Sequence, residues 1–264
     1  MKGIHNIGNS CYLNSALQLL FNSDDFYKLT YKSNDLYKEA REYREGTNVY
    51  NPRNIKSLID SRTNLFKGSS QQDSSEFITF LFDIVSTFNN NKLYEKFGIQ
   101  TDINIKCKLV KCLHESSHIE NDLMLVLPLT DNLSDSYRMY KSSERLDNDN
   151  AYDCEKCKMK TIARKRIEIV KWPTNLIIIL KRFDGMMRKD NNKISIPIDW
   201  RHGYTLKGGI VHIGSFNGGH YIYYGYNKST HEWFIANDSN ISIINKEKLN
   251  ELVPNSYILY YTKE

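Results

Sequence analysis

The chain lacks an opening apolar run of the secretory kind: Met1-Lys2-Gly3-Ile4-His5-Asn6 carries charge and polarity from its second residue. Nor does any stretch approach the roughly 20 apolar residues of a bilayer-spanning helix, so a soluble protein without a membrane partner is expected. Five cysteines, an odd number, cannot close into a complete disulfide framework and point away from secreted disulfide scaffolds. A charge excess of one sign is missing too: Lys+Arg 36 against Asp+Glu 31 leaves a formal +5, spread along the chain. The densest basic stretch, Lys158 to Arg166, runs into Ile167-Glu168-Ile169 and reads as a solvated strand face, so no nucleic-acid partner is expected. Internal repeats and regular strand-helix-strand alternation are absent, which excludes solenoids and doubly wound folds. What remains is 264 residues, 40% of them hydrophobic, enough to bury a core as one large domain or two lobes sharing an interface.

Helical signals come first along the chain. After Gly8, Asn9 or Ser10 can cap a helix whose Leu13, Ala16, Leu17 and Leu20 recur at three and four residues. Two charged helices follow, Asp35 to Arg44 and Arg53 to Ser61, the second opened by Asn51 as cap and Pro52 at the first helical position. Asp73 and Glu76 form a capping-box pair ahead of Phe77, Phe80, Leu81, Ile84, Val85 and Phe88. From about Leu93 the pattern turns to strands, among them 103–105, 123–129 and 167–170, with one helix near Asp135 to Leu146. Leu176-Ile177-Ile178-Ile179-Leu180 reads as a strand buried on both faces. Strands at 193–198, 204–211, 220–226, 233–236 and 257–261 complete an α+β chain, helices first and sheet last. A cleft between the two parts would have Cys11 on one wall and His220 on the other.

Cys11 sits at the expected start of the first helix, where unpaired N–H groups and the helix dipole favour the thiolate. Gly218 and Gly219 flank His220 and leave room for a substrate backbone, and Tyr221 continues the strand. Asn237 can fix the imidazole tautomer, with Asp238 as its rival, and the Asn6 amide can face an oxyanion beside the Cys11 N–H. These are the parts of a cysteine nucleophile system. His212 reads as a structural histidine. Cys154-Glu155-Lys156-Cys157 has the tight spacing a tetrahedral zinc prefers, and Cys107 and Cys112 form a wider pair.

Gly3 to Gln18, with Asn6-Ile7-Gly8-Asn9-Ser10-Cys11-Tyr12-Leu13-Asn14-Ser15 at its heart, is similar to the Cys box GLxNLGNTCYMNSxLQ of the ubiquitin-specific proteases, the cysteine deubiquitinases. Gln71-Gln72-Asp73-Ser74-Ser75-Glu76-Phe77 resembles that family's QQDAxEF block, and Leu180-Lys181-Arg182-Phe183 its LKRF strand. Val211 to Tyr221 resembles the His box, and Trp233 to Ser239 the closing WxxFNDS block. Five blocks in family order are far more specific than any one alone.

The resemblance implies a papain-like fold in one catalytic domain over 1–264, with a helical thumb (1–90), fingers with part of the palm (91–175) and a palm sheet (176–264). It implies Cys11 as nucleophile, His220 as base and then acid, Asn237 as third member, Asn6 as oxyanion donor and Asp238 as an auxiliary polar group. The implied reaction is hydrolysis of ubiquitin's C-terminal glycine from substrate lysines, with ubiquitin and ubiquitinated proteins as partners, a monomeric enzyme and no cofactor in the chemistry. Asp73, Glu76 and Gln72 are candidates to grip the tail arginines, although capping alone explains the first two. Gly218, Gly219 and Tyr221 would line the diglycine channel. A structural zinc would be held by Cys107, Cys112, Cys154 and Cys157; Leu109 stands where the family's first CxxC pair has a cysteine, so either Cys107 through a wider turn or His114 completes the set, or the site holds no metal. The rival readings are an inactive ubiquitin-binding adaptor and an isopeptidase for a ubiquitin-like modifier. A reducing compartment, cytosol or nucleus, is expected of a thiol enzyme, and location and substrate choice are expected to come from partners or surface loops.

Overall fold

The computed structural model describes residues 1–112, 114–216 and 218–263. Helices α1 (Cys11–Phe21), α2 (Asp24–Thr30), α3 (Asn34–Glu45), α4 (Arg53–Asp60) and α5 (Ser74–Phe97) form the first lobe. The stripe on α1 predicts one buried face, yet all eleven residues are buried. Its polar side chains are therefore paired inside: Gln18 Nε2 donates to the Lys2 carbonyl at 2.8 Å, and Gln18 Oε1 accepts from Tyr43 at 2.6 Å. Ser15 Oγ donates to the Cys11 carbonyl at 2.7 Å. The short α2, too brief to show a stripe, is capped by Ser23, which accepts from the Phe26 N–H.

The expected change to strands at Leu93 fails. Across a break at Asn89 (φ −146°, ψ 38°) α5 continues to Phe97, because Leu93 and Phe97 still reach the core and Phe97 packs 5.1 Å from Phe82. Local pattern yields here to tertiary packing.

The middle of the chain supplies β1 (Ile99–Cys107), β2 (Glu115–Asp122), β3 (Leu125–Pro128), α6 (Leu133–Tyr140), β4 (Glu144–Leu146), β5 (Tyr152–Cys154), β6 (Met159–Thr161) and β7 (Ala163–Lys171). The remainder supplies β8 (Asn175–Lys181), β9 (Asp199–Trp200), β10 (Tyr204–Ser215), β11 (Gly218–Asn227), β12 (Glu232–Asn237), β13 (Asn240–Ile244), α7 (Lys246–Leu252) and β14 (Ser256–Thr262). The main sheet runs β13-β12-β11-β10-β14-β8-β3, with β9 on β10; a second runs β2-β1-β7-β4, and β5-β6 is a separate ribbon. Two sequence expectations need correction. The helix near Asp135 to Leu146 stops at Tyr140, and 144–146 joins β7 as a strand. The stretch 193–198 is no strand: Ser195 alone bridges, to Asn132. The Ile194 N–H goes to the Pro254 carbonyl instead, and Pro197 has no N–H to donate.

Strand β8 is buried on both faces as expected. Ile177 and Ile179 face the cluster that includes Leu13, Leu17 and Phe77, while Leu176, Ile178 and Leu180 join Tyr204, Leu259 and Trp200 on the other side. Burying each such side chain contributes about 1.5–3 kcal/mol. On the inner face α1 crosses β11 and β12, which carries the helix start to the strands that hold His220 and Asn237.

Candidate active site

The loop before α1 is organised by Asn6. Its Oδ1 accepts from the Gly8 N–H at 3.0 Å and the Ser10 N–H at 3.3 Å, while Gly8 (φ 112°) and Asn9 (φ 47°) make the left-handed turn. Ser10 holds the N-cap position without a side-chain cap, contrary to expectation. Its Oγ turns back to accept from the Ile7 N–H at 2.9 Å, since the turn points it away from the helix. The segment ahead of the loop is stitched to the strand ends: Ile4 N–H donates to the Asp238 carbonyl at 2.8 Å. A Cβ on Gly3 would lie 2.0 Å from the Ser239 carbonyl oxygen, so only glycine permits this approach.

His220 Nε2 donates to Asn237 Oδ1 at 2.6 Å, which leaves Nδ1 as the free nitrogen. Asp238 does not compete. Its φ of 50° swings the carboxylate round, so that Oδ2 accepts from Asn6 Nδ2 at 2.9 Å and Oδ1 from Asn14 Nδ2 at 2.7 Å. Asp238 thus fixes the Asn6 amide, and Asn14, on the α1 turn after Cys11, is a member of the site that the sequence reading missed. Cys11 is 4% exposed. Burial pushes its thiol up, the Asp238 carboxylate adds to that, and the N–H groups of Tyr221, Tyr12 and Cys11 oppose it. Desolvation therefore outweighs the helix start, against the expectation of a favoured thiolate. No hydrogen bond joins Cys11 to His220 among the described residues; the imidazole stands on the strand that α1 packs against.

Asp73 caps α5 as predicted, Oδ1 accepting from the N–H groups of Ser75 (2.7 Å) and Glu76 (3.2 Å). It also accepts from Tyr257 at Oδ1 and Tyr221 at Oδ2, both at 3.1 Å. Burial first, then this carboxylate, pushes both phenols up, which keeps them protonated as donors. The reciprocal half of the capping box is absent among the described residues: the Glu76 side chain is exposed and unbonded. The desolvation it does feel, and then the Asp73 charge, push the Glu76 carboxyl up. Gln72 is half-buried and makes no hydrogen bond among the described residues. Its neighbour Gln71, to which the sequence assigned no role, donates from Nε2 to the Gly219 carbonyl at 2.9 Å and accepts from the Gly219 N–H at 3.0 Å.

His212 is buried, but where a structural histidine satisfied by its neighbours is expected its Nδ1 has no hydrogen-bond partner among the described residues. Burial, then the Lys189 ammonium, pushes it down to about 4. A cavity of about 640 Å³ lies elsewhere, lined by Asn22, Asp24, Arg44, Lys207, Tyr223 and Lys263 among others. It touches neither Cys11 nor His220, so cavity size is a poor guide to the chemistry here.

The sulfurs of Cys107, Cys112, Cys154 and Cys157 lie within 4.8 Å of one another. Cys107–Cys157 is 4.0 Å and Cys112–Cys154 is 3.7 Å, against about 3.8 Å for the edge of a tetrahedron with Zn–S of about 2.3 Å. The donor set fits zinc. Cys107 ends β1 and the wider turn after it brings Cys112 back beside it, while His114 is not part of the group. The Thr161 hydroxyl, 3.3 Å from Cys107 Sγ, is the main reason that thiol is pulled down, to about 7.

The family model described as ubiquitin carboxyl-terminal hydrolase matches residues 2–261. Ubiquitin carboxyl-terminal hydrolase 25 of Arabidopsis thaliana is 28% identical, over 99% of this chain and 47% of the relative. Ubiquitin carboxyl-terminal hydrolase 4 of Vanderwaltozyma polyspora is 25% identical, over 98% and 40%. The chain thus spans less than half the length of these curated relatives. Among solved structures, a chain of the SAGA DUB module Ubp8/Sgf11/Sus1/Sgf73 bound to monoubiquitin superposes with a TM-score of 0.84 at 24% identity, over 100% of this chain and 69% of that one. The same module bound to ubiquitin aldehyde gives 0.80 at 24% identity, a likeness of fold. With a family model matched over nearly all its length, the chain belongs to the ubiquitin carboxyl-terminal hydrolase family.

Proposed function

We propose that this chain is a thiol-dependent deubiquitinase that hydrolyses the bond between ubiquitin's terminal glycine and a substrate lysine. The observation that carries this reading is the 2.6 Å bond from His220 Nε2 to Asn237, which turns Nδ1 towards duty as a base beside the helix that begins at Cys11. His220 takes the thiol proton, the sulfur attacks the carbonyl carbon, and the negative charge passes to the carbonyl oxygen, facing the Cys11 N–H and Asn6 Nδ2. When the C–N bond breaks, the imidazolium returns its proton to the lysine amine. Water, deprotonated by the same nitrogen, then hydrolyses the thioester. The raised thiol makes this a proton-transfer-coupled attack rather than one by a standing thiolate, and substrate closure supplies the Cys11–His220 contact.

Asp73, with both oxygens occupied, supports the cleft through Tyr221 and Tyr257, which leaves Glu76 as the carboxylate for a tail arginine. Gly218, Gly219 and Tyr221 border the route to Cys11, and Gln72 takes no assigned contact. The helical lobe serves as thumb, the main sheet as palm, and the second sheet with its ribbon as fingers. Zinc at the four cysteines has no open position for water and would tie β1 to the β5-β6 ribbon as a structural ion. Free thiols of this kind suit cytosol or nucleus, and the enzyme is read as a monomer. The test is reaction with ubiquitin carrying a C-terminal thiol-reactive warhead, beside hydrolysis of a ubiquitin amide. A covalent adduct lost in Cys11→Ala is expected; a Cys11→Ala protein that still turns over would sink the reading.

A further inference from the structure

Strand β11 has two neighbours along only part of its length. Strand β10 pairs it from Gly218 to Gly225, whereas β12 joins only from Tyr223, opposite Ala236, onward. Among the described residues the first half therefore has no strand partner on that edge. Backbone groups of alternate residues face one edge, and one such residue, Gly219, is engaged from the helical lobe. Gln71 holds both polar groups of Gly219, at 2.9 and 3.0 Å, the exchange that one residue of an added antiparallel strand would make. No side chain can intervene at Gly219, where a Cβ would lie 2.3 Å from His212 Nε2 and 2.4 Å from the Ile213 carbonyl oxygen.

We infer that Gln71 is a specificity-determining residue that stands in for substrate backbone: its amide occupies the edge of Gly219 in the free enzyme, and an extended tail must displace it to reach Cys11. The inference rests on the deubiquitinase reading and adds the group that the tail competes with. Breaking two exposed hydrogen bonds is a modest cost, paid only by a chain that replaces both, so a tail lacking a backbone N–H or C=O at the right register gains nothing.

The test is steady-state hydrolysis of a fluorogenic ubiquitin amide by the full chain and by Gln71→Ala, with ubiquitin affinity titrated on Cys11→Ala backgrounds of each. Gln71 is exposed and lies outside the core, so the melting temperature should not move. The expected result is a KM and a dissociation constant each about fivefold lower in Gln71→Ala. Gln71→Glu, which keeps the acceptor for the Gly219 N–H but not the donor, should fall between. Unchanged or raised KM with normal wild-type turnover overturns this inference alone. A wild type that neither hydrolyses nor binds ubiquitin overturns it together with the reading beneath it.

Discussion

Two adjacent residues with similar side chains have parted company at the end of β12. Asn237 accepts from the imidazole, whereas Asp238, at positive φ, reaches the amides of Asn6 and Asn14. Their loss should be distinguishable. Asn237→Ala should lower kcat about 10²-fold, the lower end of what a positioned acid–base group contributes, and move the acid limb of the pH–rate profile. Asp238→Ala should lower kcat through a loosened Asn6 and leave that limb in place. Asp238 also bears on the thiol, because its negative charge opposes formation of a second one nearby. Asp238→Asn should therefore move the pH profile of Cys11 alkylation to lower pH, read by iodoacetamide kinetics; a shift upward would contradict the assigned cause.

At the scale of elements, the β10-β11 hairpin concentrates the site's constraints. His212 on β10 lies 4.6 Å from the ring of Tyr221 on β11 and 5.4 Å from Phe183, so its imidazole is held neutral in an aromatic setting. Its folded value of about 4 against an ordinary 6.5 means that the unfolded chain binds the proton more readily between those limits. Stability from this group is complete above pH 6.5 and is lost as pH falls towards 4, by roughly 3 kcal/mol in all. Asp73, Lys189 and His220 also face this ring, and Asp73 partly offsets the loss. Urea unfolding at pH 7 and pH 4.5 should show a smaller difference in His212→Phe than in the wild type; equal slopes would remove His212 as the cause.

At the scale of the molecule, the second sheet and the ribbon have no large core of their own. Their deepest cluster is Cys107, Cys112 and Cys154 with Tyr152 and Cys157 packed against it, too little apolar area to order two hairpins unaided. Metal analysis should find one zinc per chain. Chelation, or Cys154→Ser, should open residues 100–122 and 144–171 to protease while the helical lobe and main sheet, each with a large cluster, stay protected. Uniform resistance after zinc removal would assign the fingers' stability to something other than the metal.

The α1 stripe, the Asp73 cap and the run at 176–180 are local signals, and the helices and the doubly buried strand followed from them. The grouping of the four cysteines and the pairing of His220 with Asn237 were also named in advance, because such side chains are legible in their own letters. Contacts between distant segments were not legible. The end of α5 at Phe97 depends on Phe82 and the packed lobe, and the irregular path of 193–198 depends on carbonyls near residues 131 and 254. Gln71 meets Gly219 across 148 positions, and the division of labour between Asn237 and Asp238 turns on one backbone dihedral. The amino-acid order set which groups were available and which elements could form. Only tertiary packing decided which polar atoms meet, because hydrogen bonds and desolvation act over a few ångströms of space whatever the separation along the chain.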